Sequence, residues 1–289
     1  MIDGVRPKMP GRPSQRHEVK VRLRRAGLLT VCEEARCPNV CECFGAQTAT
    51  FLIMGKVCTR SCRFCAIEKG QPPEAPDSDE ARRLAEAVVE LDLAHTVITS
   101  VTRDDLPDGG AAMFAACIRE IKHRRPETTV EVLVPDFAGR KESLTTVLLE
   151  KPEVLNHNVE TVARLVDQVR PGASLKRSLS LLRQAAETSD AVVKSGLMVG
   201  LGEEDSEVGE LLGQLADAGC RVVTIGQYLQ PSKTQCAVQR QVSESAFSSW
   251  RSLGHSLGLH VVAGPLVRSS YQAKEVLDAL RLANGSSRG

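Results

Sequence analysis

Several absences in this 289-residue sequence narrow its function before any motif is read. No apolar run approaches the ~18 residues needed to cross a bilayer. No apolar signal-peptide core follows the initiator Met. Those two gaps predict a cytoplasmic protein with no membrane partner. Charge of one sign is also missing: 37 Lys and Arg stand against 36 Asp and Glu, a net charge of +1. Without a global field, nothing draws the chain to nucleic acid. There is no nucleotide-binding glycine fingerprint, because Gly200-Leu201-Gly202 lacks the spacing and comes late in the chain. No carboxylate pair or Ser–His–Asp set points to hydrolysis.

What is present starts with an ordinary globular composition, 42% hydrophobic and 25% charged, enough for one large core or two modest ones. The charge balance fails locally. Between Arg6 and Arg25 eight basic residues are opposed by Glu18 alone. That arm reads either as a solvated segment or as a docking surface for an acidic partner. Pro7, Pro10 and Pro13 oppose the amphipathic helix of a transit peptide. Ten cysteines need a reason, and seven of them lie between Cys32 and Cys65. In a reducing compartment such clustering points to metal or redox chemistry rather than disulfides. Cys117, Cys220 and Cys236 are scattered and read as small apolar core residues.

The chain divides into three zones: a basic, cysteine-rich extension over 1–49, a repeating unit over 50–242, and a tail over 243–289. In the middle zone short β-branched runs at Thr50–Val57, Thr96–Val101, Thr129–Pro135, Val154–Asn158, Ala191–Val199 and Arg221–Leu229 alternate with helical stretches. The helices are expected at Asp79–Leu93, Ala111–His123, Ser143–Glu150, Glu160–Val169, Leu175–Glu187 and Ser206–Ala218. Strands alternating with helices of this length mean βαβ units on a parallel sheet. Six units without a dinucleotide fingerprint predict an α/β fold: a partial (β/α)6 TIM-like barrel with an N-terminal cysteine-rich extension and a C-terminal extension. The tail is expected to add a helix, a short strand near His260–Ala263 and a final helix. In a barrel the chemistry belongs at the C-terminal strand ends. That puts Cys58 and its loop, Ser100–Gly110, Pro135–Asp136, Asn156–Asn158 and Gly196–Glu203 on one mouth.

Cys58-Thr-Arg-Ser-Cys62-Arg-Phe-Cys65 comes directly after the first expected strand. Three thiolates at this spacing can bind three irons of a cubane and leave the fourth open. A structural zinc site normally takes four protein ligands, and ferredoxin-type clusters use another spacing and a fourth cysteine. The motif resembles the signature of the radical S-adenosylmethionine (SAM) superfamily. The resemblance implies that the open iron chelates SAM, which one electron then cleaves to a 5′-deoxyadenosyl radical.

A second constellation, Cys32-Glu-Glu-Ala-Arg-Cys37-Pro-Asn-Val-Cys41-Glu-Cys43, precedes the barrel. Its Cys32, Cys37 and Cys43 resemble the auxiliary-cluster motif of the lipoyl synthase family. Further stretches resemble the same family: Thr99–Gly110, Glu131–Phe137, Asn156–Asn158, Lys194–Glu203, Gly226–Ser232 and Ala263–Tyr271. The likeness covers about residues 17–275. It implies two [4Fe–4S] clusters, with two sulfurs inserted at carbons 6 and 8 of an octanoyl chain on a carrier-protein lysine. The auxiliary cluster is the implied sulfur donor, and two SAM molecules are spent per lipoyl group. A related radical sulfur-inserting enzyme, such as one acting on biotin precursors, is the alternative.

The family also implies a serine as fourth ligand of the auxiliary cluster, from an Arg-Ser-Ser-Tyr motif. Here that is Arg268-Ser-Ser-Tyr271, and the role falls to Ser270, with Ser269 the second choice. Read without the family, the two serines cap the final helix. Asp108, Gly109, Gly110 and Asn156 are the cofactor-binding candidates. His157 and Asn158 either join them or satisfy the barrel rim, and Lys194 and Met198 are further candidates on the fifth strand. Implied partners are octanoylated carrier domains, from a dehydrogenase-complex acyltransferase or the glycine-cleavage carrier protein, and an electron donor such as ferredoxin or flavodoxin. Two departures from the family pattern stand out: Cys41, and Cys236 within Ser-Lys-Thr-Gln-Cys-Ala-Val.

Overall fold

The structure, a computed structural model, describes residues 21–34, 39 and 48–285. The basic arm before residue 21, Cys37, Cys41 and Cys43, and the side chain of Cys32 lie outside the described residues.

Seven strands run parallel in one sheet: β2 (Thr48–Ile53), β5 (His95–Ser100), β6 (Thr129–Leu133), β7 (Val154–Asn156), β8 (Val192–Val199), β9 (Val222–Gln227) and β10 (His260–Gly264). They pair in chain order. A short β1 (Leu29–Thr30) adds antiparallel to the free edge of β2. Two more short strands, β3 (Val57–Cys58) and β4 (Glu68–Lys69), form a separate parallel pair. Besides a helical stretch at residues 21–25, the α-helices among the described residues are α1 (Val31–Glu34), α2 (Glu80–Glu90), α3 (Ala111–Arg124), α4 (Lys141–Leu148), α5 (Val166–Val169), α6 (Leu175–Thr188), α7 (Asp205–Asp217), α8 (Glu244–Ser256) and α9 (Ala273–Gly285).

Strand alternation explains the two faces. On β6, Val130 and Val132 are buried in the apolar cluster that includes Leu84, Phe114 and Ile118 of the helices. Between them Glu131 turns to the barrel interior, buried as well. Burying each such Val, Leu or Ile contributes about 1.5–3 kcal/mol. The apolar core therefore lies between sheet and helices, and polar side chains collect inside the barrel: Thr50, Glu131, Asn156, Lys194 and Thr224.

All six expected strands are found, with shifted ends. The first stops at Ile53 rather than Val57, because Met54 (φ 65°) and Gly55 (φ 85°) turn the chain out of extended geometry. The helix expected over Glu160–Val169 shrinks to a 3₁₀ turn, Ala163–Leu165, and the four residues of α5. Glu160 sits at φ 68° and bridges to Leu197, which holds this stretch on the sheet. The tail does more than append a strand: β10 hydrogen-bonds along β9 in parallel register from His260↔Val222 to Gly264↔Gly226.

Candidate active site

The loop after β2 is built to hold its shape. Glu80 on α2 accepts the Met54 N–H (2.9 Å) and fixes the turn out of the barrel. Cys58 and Lys69 then pair across the loop base, where Gly70 N–H donates to the Cys58 carbonyl (2.9 Å). Three other segments grip the loop. Thr59 donates its N–H (3.0 Å) and its hydroxyl (2.9 Å) to the Thr102 carbonyl. Arg63 N–H donates to the Val169 carbonyl (2.8 Å), and Cys236 N–H donates to the Arg63 carbonyl (3.0 Å). Cys58, Cys62 and Cys65 are carried together on this loop, half-buried, each with a free thiol.

Burial pushes the Cys65 thiol up to about 11 and also raises Cys62, which the neighbouring Arg170 guanidinium partly offsets. Unligated, these two sulfurs keep their protons, so a metal must displace them on binding. The Cys58 sulfur accepts N–H groups from Thr102 (3.3 Å) and Arg60 (3.5 Å), the kind of contact that tunes a cluster-bound thiolate. Among the described residues no trio of His, Cys, Asp or Glu converges on one mononuclear ion. A cubane spreads its ligands over separate irons and does not require that convergence. Three soft sulfurs on one clamped loop fit an iron–sulfur cluster.

Arg60, between the first two cysteines, forks onto Asp104 (2.8 and 3.0 Å) and reaches Asp136 (2.5 Å). Asp136 has no exposed side-chain surface and also accepts from Arg177 (2.6 Å) and the Ala138 N–H (3.1 Å). Burial alone would raise this carboxyl, but the two guanidinium groups hold it far below the usual carboxylate range. The cluster loop is thus tied to the loop after β6 and to α6 by charge-assisted bonds.

Inside the barrel, Lys194 Nζ lies 2.9 and 3.1 Å from the Glu131 carboxylate, and His95 Nε2 is 3.8 Å from it. Burial would push Glu131 up; Lys194 and His95 overcome that and hold it at about 2. Asn156 donates to Glu131 (3.0 Å) and to the hydroxyl of Ser269 (2.7 Å). Ser269 in turn donates to Asn158 (2.9 Å), whose amide donates to Glu160 (3.2 Å). Burial raises the Glu160 carboxyl against the opposing pull of Arg170. Ser270 accepts from Thr50 Oγ1 on β2 (3.0 Å).

The segment after β10 therefore threads back over the barrel interior, from β9 past β7 to β2. Gly226 makes room for it, since a Cβ there would collide with the Val267 carbonyl. Asn39, in the middle of the N-terminal cysteine motif, donates to the Leu266 carbonyl (2.7 Å). Asn39 and Leu266, 227 residues apart in sequence, meet here.

The expected residues separate into groups. The structure brings Cys58, Cys62 and Cys65 onto one loop, and Ser269, Ser270, Asn156 and Asn158 into one polar cluster. Asp108 accepts the N–H groups of Gly110 (2.9 Å) and Ala112 (2.7 Å) where the loop enters α3. Gly110 (φ 89°) leaves no space for a side chain beside Met54, and Gly109 abuts Phe137. His157 faces away from the mouth. Its Nδ1–H donates to the Val134 carbonyl (2.8 Å), and its Nε2 accepts from Ser178 on α6 (2.8 Å). Lys194 is a structural ion-pair partner. Cys32 lies in α1, directly after β1; Cys37 and Cys43 are outside the described residues. Sequence reasoning missed Arg60, Glu131, Glu160, Arg170 and Arg177. The signal for the Glu131–Lys194 pair was there: each is a lone charge inside an apolar strand.

The family model described as the Radical SAM superfamily matches residues 52–226. The chain is 53% identical over 261 residues to the lipoyl synthase of Caldanaerobacter subterraneus subsp. tengcongensis, covering 90% of this chain and 91% of the other. It is 52% identical over 260 residues to the lipoyl synthase of Caldicellulosiruptor bescii, covering 89% of each. Among solved structures, Streptococcus suis SuiB bound to precursor peptide SuiA is similar in fold, with a TM-score of 0.60 at 10% identity. That match covers 90% of this chain and 55% of SuiB.

Proposed function

The chain belongs to the lipoyl synthase family of the radical SAM superfamily, and from that premise we propose how its residues divide the work. The chain is a radical sulfur-inserting enzyme that acts on a protein-bound octanoyl group, and SAM and a [4Fe–4S] cluster come with its superfamily. Cys58, Cys62 and Cys65 hold that cluster. When bound, it supplies the electron that cleaves SAM to a radical able to take hydrogen from unactivated carbon.

The chain's own residues then do three things. Thr59, Arg63 and Cys236 fix the cluster loop through backbone bonds. Arg170 and Glu160 set the charge beside Cys62. Gly110 keeps the loop after β5 close to Met54 at the end of the first barrel strand for SAM, Gly109 keeps it against Phe137, and Asp108 shapes that loop through its two backbone bonds.

Cys32, Cys37, Cys43 and Ser270 would hold a second [4Fe–4S] cluster, which would supply the sulfurs placed at carbons 6 and 8. The Ser269 hydroxyl accepts from Asn156 and donates to Asn158, whereas Ser270 accepts from Thr50, a difference that supports Ser270 as the ligand the family resemblance implies. An oxygen ligand suits iron less well than thiolate and releases it more readily. One observation carries this reading: the Asn39–Leu266 bond joins the N-terminal cysteine motif to the segment bearing Ser270. The substrate is an octanoyl-lysine on a carrier domain of a dehydrogenase complex or of the glycine-cleavage system. Ferredoxin or flavodoxin is the electron donor.

The test is anaerobic reconstitution with iron and sulfide, then reaction with an octanoylated carrier domain. About eight irons per chain and a mass gain of two sulfurs support the assignment. Saturation at about four irons, or a carrier left unmodified, refutes it.

A further inference from the structure

We propose that the basic surface on the helix side of the cluster loop is the docking site of an acidic one-electron carrier protein. The proposal rests on the radical reading above and gives its electron donor a place on the chain.

Two adjoining cavities, of about 320 and 310 Å³, share Arg177. The larger lies between α4 and α6; the smaller is lined by Thr59, Arg60 and Ser61 of the cluster loop. Five cations line the pair: Arg60, Arg140, Lys141, Lys176 and Arg177. The lining carboxylates are Asp104, bonded to Arg60, and Asp136, buried beneath Arg60 and Arg177. Exposed Glu142 sits next to Lys141 in sequence and only partly dilutes the excess. Lys141 and Lys176 are exposed, and neither forms an ion pair among the described residues. With Asp104, Asp136 and Glu142 set against the five cations, the surface keeps an excess of two positive charges, carried mainly by Arg140, Lys141 and Lys176, in a chain whose net charge is +1.

Its position selects the partner. Arg60 and Ser61 lie between Cys58 and Cys62, so the surface begins one residue from the cluster ligands. An octanoyl chain has to enter the barrel interior, where Ser270 meets Thr50, and a surface on the outer helices offers it no such path. An electron needs only a short approach to the cluster. The docked carrier's reduced centre loses one electron and the cluster gains one, with no bond made or broken and no proton moved. Complementary charge serves such a transient encounter by raising the association rate.

The test uses the full chain, reduced flavodoxin as the probe, and the double variant Lys141→Glu/Lys176→Glu. Both positions lie outside the cluster loop. Flavodoxin binding is measured by calorimetry on either side of about 0.1 M salt, where the Debye length is ~10 Å. SAM cleavage is then driven in parallel by flavodoxin and by dithionite. The proposal expects flavodoxin binding and its KM to weaken on the order of tenfold, with reduced salt dependence and an unchanged dithionite rate. Lys141→Gln/Lys176→Gln, which removes charge without reversing it, should give a smaller loss in the same direction at an unchanged melting temperature. Flavodoxin binding and KM equal to wild type in both variants overturn the proposal. So does loss of octanoylated-carrier binding with flavodoxin binding intact, which would make the surface a substrate dock. A wild-type chain that binds flavodoxin yet fails to cleave SAM with dithionite would instead count against the radical reading.

Discussion

The Asn156 amide donates to the Ser269 hydroxyl at 2.7 Å, joining the end of the fourth barrel strand to a motif 113 residues later. Asn156 is itself held by the Glu131–Lys194 pair beneath it. Replacing Asn156 with Ala removes one donor from half-buried Ser269 and one from buried Glu131, which keeps its Lys194 bonds. The loss is about 1–3 kcal/mol in all. We expect Asn156→Ala to lower the melting temperature and, on the proposed two-cluster assignment, to reduce bound iron from about eight toward four. The cluster on Cys58, Cys62 and Cys65 should remain. Iron assay with spectra of the reduced protein checks this.

A buried ion pair is an expensive way to stabilise a barrel, and removing one partner is worse than removing both. Lys194→Met leaves the buried Glu131 charge with only Asn156 and the more distant His95 and should cost about 3–5 kcal/mol. The double variant Glu131→Leu/Lys194→Met should recover most of that loss. Denaturant titration of the three proteins gives the comparison.

Glu131 and His157 make separate contributions to pH dependence. His157 is buried, which lowers it to about 4, so the folded chain refuses a proton that the unfolded chain accepts near 6.5. Stability should therefore fall as pH drops from 6.5 to about 4, by roughly 3 kcal/mol. Glu131 is depressed to about 2, so its contribution is present above about 4.5 and is lost as pH falls toward 2. His157→Gln should flatten the upper window and leave the lower one unchanged. Unfolding free energies measured across both ranges test the assignment.

How much of the fold and site was legible in the sequence depends on which forces are local. The strand–helix rhythm reports local periodicity, and it gave all six barrel strands and their parallel order. That Cys58, Cys62 and Cys65 share one loop was legible because their spacing is a local property of the chain. The early end of β2 was not, since nothing in Met54 announces a positive φ. The Glu160–Val169 stretch reads as a helix by composition, yet pairing of Glu160 with Leu197 overrides it. The direction of His157 depends on Ser178, 21 residues on, and Ser269 depends on Asn156 and Asn158. Such long-range partners leave no periodic trace.

Arg60 carries both Asp104 and the buried Asp136. Arg60→Ala leaves Asp136 with Arg177 as its single charged partner and frees the loop between Cys58 and Cys62. Loss of hydrogen bonds to a charged group costs about 1.5–3 kcal/mol. Arg60→Lys keeps the charge but cannot reproduce the fork to Asp104. We expect both variants to bind the cluster proposed on Cys58, Cys62 and Cys65 less tightly, Ala more so than Lys. Iron release to a chelator over time measures the difference.

Gly226 offers the cleanest separation between the two halves of the reaction. Its α-carbon faces the Val267 carbonyl so closely that no side chain fits. The collision is with backbone rather than the end of a flexible side chain, so the segment after β10 must move. Gly226→Ala should cost about 1–3 kcal/mol as overpacking and shift Ser269 and Ser270 away from Asn156 and Thr50. The cluster loop is anchored elsewhere, to Thr102, Val169 and Cys236, and should be untouched. The variant should still cleave SAM with dithionite while adding little sulfur to the octanoylated carrier. The measured quantity is 5′-deoxyadenosine formed per sulfur inserted. It should rise well above the wild-type ratio if the segment bearing Ser270 is what makes each radical productive. A parallel fall in both products would mean that the strain spreads into the barrel, and the separation would fail.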